Sequence, residues 1–400
     1  MPVRIDTRKV RGPSATEIYI SAEPENTATS QGQIAELFAG VCDILKRENA
    51  SILEERIFTI EGAVDMVSEA RREGYGRTDD GVAASFLTAK EGRRGLISGV
   101  QIHSVTGLNK PEVIKLEGRA CGRVVRSGKE AYLVLSGITG GEGGFGKLTA
   151  GEKSKQAREM LEKAESALKQ FGGDFTSVSR TWMWLDDILS WYGDFNKVRN
   201  KFFTQRGLIG EGSRQSIPAS TGIGLGLGGK GRIGMDLTAV LEPTDSTPRL
   251  GSTSLTTGRS GQASSPPRGS IEFLGAIGRQ QCALSYGSAF SRASRARSPA
   301  GKTVFVSGTA SIDAKGASMH IGDARGQIET TIENVRAVLK DMNCQDKDVV
   351  SATVFCKTAD VEDEFEGFKH RIDWPWTTAI CDLCRDELLF EVEATAVMQG

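Results

Sequence analysis

Four hundred residues exceed the size at which one hydrophobic core usually stops growing, so two or three domains are expected. Fifty Lys+Arg balance 51 Asp+Glu with no long basic run, which removes the electrostatic footprint that a phosphate backbone needs and excludes nucleic acid as the default partner. The opening residues carry no apolar signal-type run and no later stretch has the apolar length of a membrane span, so a soluble, cytoplasmic protein with no membrane partner is expected.

In chain order, the first elements are a strand at 16–23 (TEIYISAE), a helix at 33–48, a strand at 52–59, a helix at 61–73 and strands at 83–89 and 97–105. The stretch 138–146 (ITGGEGGFG) is glycine-rich and follows a strand at 130–140. Helix 156–171 then carries an apolar stripe of Ala157, Met160, Leu161, Ala164 and Leu168. Strand 177–185, helix 193–203 and the strand pair 217–227 and 233–242 complete a second set. A Ser/Gly/Pro/Thr segment at 243–270 reads as a linker. Beyond it come strand 303–312 and helix 327–342, with Ile328, Ile332, Val335, Val338, Leu339 and Met342 on one face. Strand 349–356 follows, then a helix at 360–372 that Asp360 suits as N-cap, and a closing hairpin of 376–383 with 388–397.

The same order of elements thus occurs three times, and the separation of Gln156 from Arg180 equals that of Gln327 from Ser351. The expected organisation is a degenerate copy at 1–115, a second at 116–245, a linker at 246–278 and a third at 279–400. Each copy is an α/β (α+β) unit of β-α-β-α-β-β order. A sheet with helices on one side must cover its other face, and three linked copies can do so around a threefold axis as a self-contained pseudo-trimer. The alternative is two copies with an unrelated N-terminal domain, assembled as a homo-oligomer such as a trimer.

Seven cysteines, an odd number scattered along the chain, argue for a reducing compartment. Only Cys381 and Cys384 form a CxxC, and His103, His320 and His370 are the only histidines, so no metal site is expected. The run 224–230 (GLGLGGK) satisfies GxGxxG and nearly a P-loop. A strand follows it where a phosphate-binding loop requires a helix, so it reads as a glycine-rich hairpin. Trp182 and Trp184, at strand spacing, read as buried between sheet and helix, and Asp186-Asp187 as capping or solvated.

The last strand is more informative. Glu391 and Glu393 are two residues apart among Phe, Val, Ala and Thr, so both project to one face of a core-like strand. Such carboxylates meet water, a partner or a ligand, and burial raises the pKa of one into the range of a general acid. Upstream, Tyr286 and Arg292 are joined by small residues, and arginine suits bidentate capture of a carboxylate.

The motifs VSGTASI (306–312), NVRAVL (334–339) and EVEATAV (391–397) resemble the YjgF/RidA superfamily, also described as endoribonuclease L-PSP or translation initiation inhibitor proteins. That resemblance implies a trimer-like assembly with ligand sites in clefts between units, and a functional role for Glu391. Ser220 and Thr377 stand where the deaminase members carry a substrate-binding arginine, which argues against an enamine or imine deaminase. RTW (180–182), PASTGIG (218–224), YGSAFSRA (286–293) and CRDELLFEVEA (384–394) resemble the chorismatase branch over roughly residues 175–400. That branch implies a hydrolase or lyase releasing pyruvate from chorismate or a related enolpyruvyl carboxylate, with no cofactor. Glu391 is then the catalytic acid, and Tyr286, Arg292, Ser220, Thr221, Gly222 and Glu393 bind the substrate. A non-catalytic small-molecule binder of the same fold is the remaining alternative.

Overall fold

Runs of β-branched and aromatic residues form eighteen strands among the residues described in this computed structural model, namely 3–25, 30–89, 95–141, 148–210, 216–229, 231–241, 271–277 and 279–398. The first module contains β1 (Val3–Arg11), β2 (Thr16–Pro24), β3 (Ser51–Ile60), β4 (Ser85–Ala89) and β5 (Ile97–Thr106), with helices α1 (Gln31–Arg47) and α2 (Val64–Tyr75). The second contains β6 (Glu112–Leu116), β7 (Arg119–Ser127), β8 (Glu130–Thr139), β9 (Val178–Leu185), β10 (Ala219–Ile223), the short β11 (Gly226–Leu227) and β12 (Ile233–Leu241), with α3 (Ala150–Lys169) and α4 (Tyr192–Gln205). The third contains β13 (Ile271–Leu274), β14 (Ala293–Ser298), β15 (Gly301–Ala310), β16 (Val349–Cys356), β17 (Trp376–Ile380) and β18 (Phe390–Met398), with α5 (Ala324–Asp341) and α6 (Ala359–Phe368).

The three sheets share one strand order: β1-β2-β5-β3-β4, β6-β7-β8-β12-β9-β10 and β13-β14-β15-β18-β16-β17. The architecture is therefore three tandem α+β units. The expected closing hairpins are not hairpins. In each module the last strand inserts between the first and middle strands, while the penultimate strand pairs parallel to the outer side of the middle one. A parallel neighbour needs a crossover, which the second helix of each unit supplies. The segment 243–270 lies outside the described residues, as does 142–146, but residues 271–274, at the end of the expected linker, are edge strand β13.

Helices are set by caps and stripes. Asp323 accepts from Gly326 N to start α5, whose buried face includes Ile328, Ile332, Val335, Val338 and Leu339. Burying each such aliphatic side chain contributes about 1.5–3 kcal/mol. Helix α6 is capped two residues earlier than expected: extended Thr358 is its N-cap, and Asp360 lies in the first turn, where its charge complements the helix dipole.

Each module has a core between its sheet and helices. A further core lies between the helix-free faces and draws on all three modules, with Leu53, Leu87, Val134, Trp184, Phe305 and Phe355 among its members. Trp182 and Trp184 are buried there, between sheets and not between sheet and helix, because alternation along β9 turns them to the helix-free face. The modules pack head to tail in a ring: β4 against β8, β10 against β15, and β17 against β2. Strand β11 crosses this boundary to pair antiparallel with β4, so the glycine-rich segment extends the first module's sheet. No helix among the described residues is long and apolar enough to cross a membrane.

Candidate active site

Where β10 of the second module meets β15 of the third, backbone and side chains stitch the boundary. Ser291 N donates to Pro218 O at 3.1 Å, Ser220 N donates to Ser307 Oγ at 2.8 Å, and Gly224 N donates to Asp382 O at 2.9 Å. Beside this seam lies a cavity of about 180 Å³. Helix α4 contributes Tyr192, Asn196 and Arg199, and β10 contributes Ser220 and Gly222. The third module contributes the approach to β14 (Gln280, Tyr286, Arg292), strand β15 (Gly308, Ala310), the segment before β18 (Cys384, Arg385) and Glu391.

Glu391 is 4% exposed, and no hydrogen bond to its carboxyl is formed among the described residues. Burial, with repulsion from Glu393, pushes its pKa up to about 8, against the pull of Arg180 and Arg385. The carboxyl lies against Gly308 so closely that a methyl group there would overlap it. Arg292 donates through Nη2 to Tyr286 Oη at 2.7 Å and through Nε and Nη2 to Gln281 O at 3.1 and 2.8 Å. Arg199, fully buried, donates to Asn196 Oδ1 at 2.6 Å. Its Nε, and both amide atoms of Gln280, have no partner among the described residues, so the wall holds unspent hydrogen-bonding capacity. Burial and the nearby Glu391 push the Cys384 thiol up to about 12, so it is neutral. Three guanidiniums thus face a cavity whose one carboxyl is protonated near neutrality, which suits a small anionic ligand.

Of the residues expected at the site, Glu391, Tyr286, Arg292, Ser220 and Gly222 line this cavity. Thr221 and Glu393 do not. Alternation on β10 turns Thr221 to the module interface, and Glu393 is enclosed by Arg180 Nη2 at 2.6 Å, Trp182 Nε1 at 3.0 Å, Thr353 Oγ1 at 2.9 Å and the Thr221 hydroxyl. Arg199, Tyr192, Asn196 and Gln280 were not signalled by sequence: helix α4 presents the first three across a module boundary, and Gln280 lies in the irregular approach to β14. Among the described residues no cluster of His, Cys, Asp and Glu has a metal-binding arrangement.

Register identifies the matching positions in the other two clefts. Glu393 lies opposite Thr353, which lies opposite Thr377; Asp236 opposite Trp182 and then Thr221; Gln101 opposite Arg56 and then Ser85. Two residues before each stand Glu391, Gly234 and Gly99. Only the third module has a carboxyl at that point. A side chain on Gly99 would meet Thr377 Cγ2 at 2.6 Å, and one on Gly234 would meet Leu227, which β11 carries into the cleft.

Residues 283–398 match the family model described as endoribonuclease L-PSP. The crystal structure of a chorismatase covers 99% of this chain and 100% of its own at 15% identity, with a TM-score of 0.54. The family match therefore lies in the third module, and the chain as a whole has the chorismatase fold. The chain is also similar to a putative endoribonuclease from Thermotoga maritima, at 26% identity over 28% of this chain and 89% of that one, TM-score 0.24. The YjgF gene product from E. coli is 20% identical over 32% of this chain and 100% of that one, TM-score 0.26. No curated protein matches the chain.

Proposed function

We propose that this protein is a chorismatase-like enzyme that releases pyruvate from chorismate or a related enolpyruvyl carboxylate, with Glu391 as general acid. The observation that carries this reading is a buried carboxyl with a pKa near 8 in a cavity otherwise rich in guanidinium groups. Below that pH the carboxyl is protonated, which is the form an acid catalyst needs. Glu391 donates its proton to the methylene carbon of the enol ether, leaving a methyl group and an oxocarbenium ion. Water adds to the cationic carbon and returns a proton to Glu391. The hemiketal then breaks its ether bond to give pyruvate and an alcohol.

Arg292, held by Tyr286, neutralises one substrate carboxylate, and Arg199 from the opposite wall serves a second. Ser220 and the Gly222 backbone line the floor. The chemistry calls for no cofactor. The test is incubation with chorismate while pyruvate is followed by a coupled dehydrogenase, with Glu391→Gln as control. Pyruvate at the control's rate removes this reading. Turnover of 2-aminoacrylate generated in place would instead support the deaminase alternative, and ligand binding without turnover the binder.

A further inference from the structure

We infer that Glu393 is a positioning residue, which clasps the second module to the third through Thr221 and so fixes the Gly308 floor against which the Glu391 carboxyl lies. This rests on the reading of Glu391 as the acid.

Glu393 gathers an unusual concentration of partners. The Glu393 carboxylate accepts from Arg180, Trp182 and Thr221 of the second module and Thr353 of its own, and Arg56 Nη1 of the first module stands 3.8 Å away. Residues of all three modules therefore converge on one buried carboxylate. The Thr221 hydroxyl donates to Glu393 and accepts from Arg180 Nη2 at 2.5 Å and from Gly308 N at 3.0 Å, which exhausts its one donor and two acceptor sites. Gly308 is also the residue whose missing side chain leaves room for the Glu391 carboxyl. Glu393, Thr221, Gly308 and Glu391 thus form a continuous chain of contact from the interface to the cavity.

The other two boundaries have a polar clasp at the same register, with glycine and not a carboxyl two residues before it. Asp236 accepts from Ser85 Oγ at 2.7 Å, Arg56 Nε at 3.4 Å and Gly137 N at 2.6 Å, while Gln101 donates to Ala352 O at 2.8 Å and accepts from Thr353 Oγ1 at 3.1 Å. A polar side chain is present at this point in all three modules, whereas the residue two before it is a glutamate in one only. Clasping is the shared role, and the third module adds a carboxyl that depends on it. The charged and titratable groups that bear on Glu391 are Glu393, Arg180, Arg385, Tyr192 and Cys384. Neutralising Glu393 removes a repulsion and leaves the attraction of Arg180 less balanced, so both changes favour ionised Glu391.

The test uses the full chain carrying [δ-13C]glutamate, with the Glu391 resonance assigned by its loss in Glu391→Gln. Glu393→Gln is expected to lower the midpoint of the Glu391 titration by about one pH unit, a tenfold loss of proton affinity, and to move the alkaline limb of kcat down equally. Thr221→Val is expected to lower kcat about tenfold with a smaller effect on KM, and Thr221→Ser to restore it. If Glu393→Gln does not fold, the Thr221 pair decides the question. A midpoint unchanged in folded Glu393→Gln, or equal kcat in Thr221→Val, Thr221→Ser and the native chain, overturns the inference. If the native chain releases no pyruvate, the enzymatic reading fails, while the titration still decides whether Glu393 sets the state of Glu391.

Discussion

Gly308→Ala isolates the position of the acid from every other property of the site. Gly308 does not have a left-handed φ, so alanine meets no backbone penalty there and the effect is purely one of space. The added methyl carbon would lie 3.2 Å from Glu391 Cδ and 3.2 Å from Thr221 Cγ2, and nearer still to Glu391 Oε1. Relief requires the carboxyl to move by about 1 Å, and a misplacement of that size at a reacting group costs about a hundredfold in rate. By transition-state arithmetic this is about 2.7 kcal/mol on the barrier. Overpacking also lowers stability by about 1–3 kcal/mol. Steady-state pyruvate release at pH 7 gives the first quantity, and urea denaturation gives the second. A variant with native kcat and native stability would mean that the Glu391 carboxyl is not held against Gly308, and the geometric basis of the proposed acid would be lost.

Other consequences follow from the same geometry. Activity is expected to be constant at neutral pH and to fall as pH rises through about 8, where Glu391 loses its proton. The folded state binds this proton more tightly than the unfolded state does, so stability declines as pH rises from about 4.5 towards about 8. Glu391→Gln should flatten that decline, and a pH series of denaturant midpoints reads it directly. Arg292→Ala and Arg199→Ala each remove a charge-assisted contact of about 1.5–3 kcal/mol, so KM rises about tenfold to a hundredfold, and Arg292→Lys does not restore it. Unchanged KM in both would show that the ligand's carboxylates bind elsewhere. Light scattering should give a monomer of 42.9 kDa, because the three modules close the ring within one chain. Calorimetry should find one ligand per chain; two or three would contradict the closure of the clefts at Gly99 and Gly234.

Much of the architecture was legible because period and order are local properties. The stripe of α5 and the triple recurrence of strand, helix, strand, helix follow from residue spacing, and they hold in the structure. Pairing was harder to read. Two strands close in sequence suggest a hairpin, but β17 and β18 are separated by β16, a long-range arrangement that alternation alone does not specify. The site divides in the same way. Glu391 stood out as a carboxylate in a core-like strand, and Tyr286 and Arg292 through a local motif. Arg199 sits on a helix of another module, in a sequence no different from any amphipathic helix, and only tertiary packing turns it to the cavity. Glu391 and Glu393 were indistinguishable by alternation, since both project to one face; the cleft of the ring separates them, the first into the cavity and the second into the interface.

That separation also explains how three similar units yield one site. A ring of repeats supplies three clefts at equal cost, but a buried carboxyl destabilises its cleft wherever no ligand or acid function is served. In two modules glycine stands at the position of Glu391, and the space is taken by Thr377 in one cleft and by Leu227 in the other. The crossing of β11 onto β4 is what delivers Leu227, so the strand exchange and the closed cleft are one feature. The third cleft keeps its opening because Gly308 and not a larger residue faces Glu391, and because β10 ends in small residues at Ser220 and Gly222. Linking the modules in one chain makes this division of labour possible: in a ring of identical chains each of these substitutions would appear in every cleft at once, and closing one would close all.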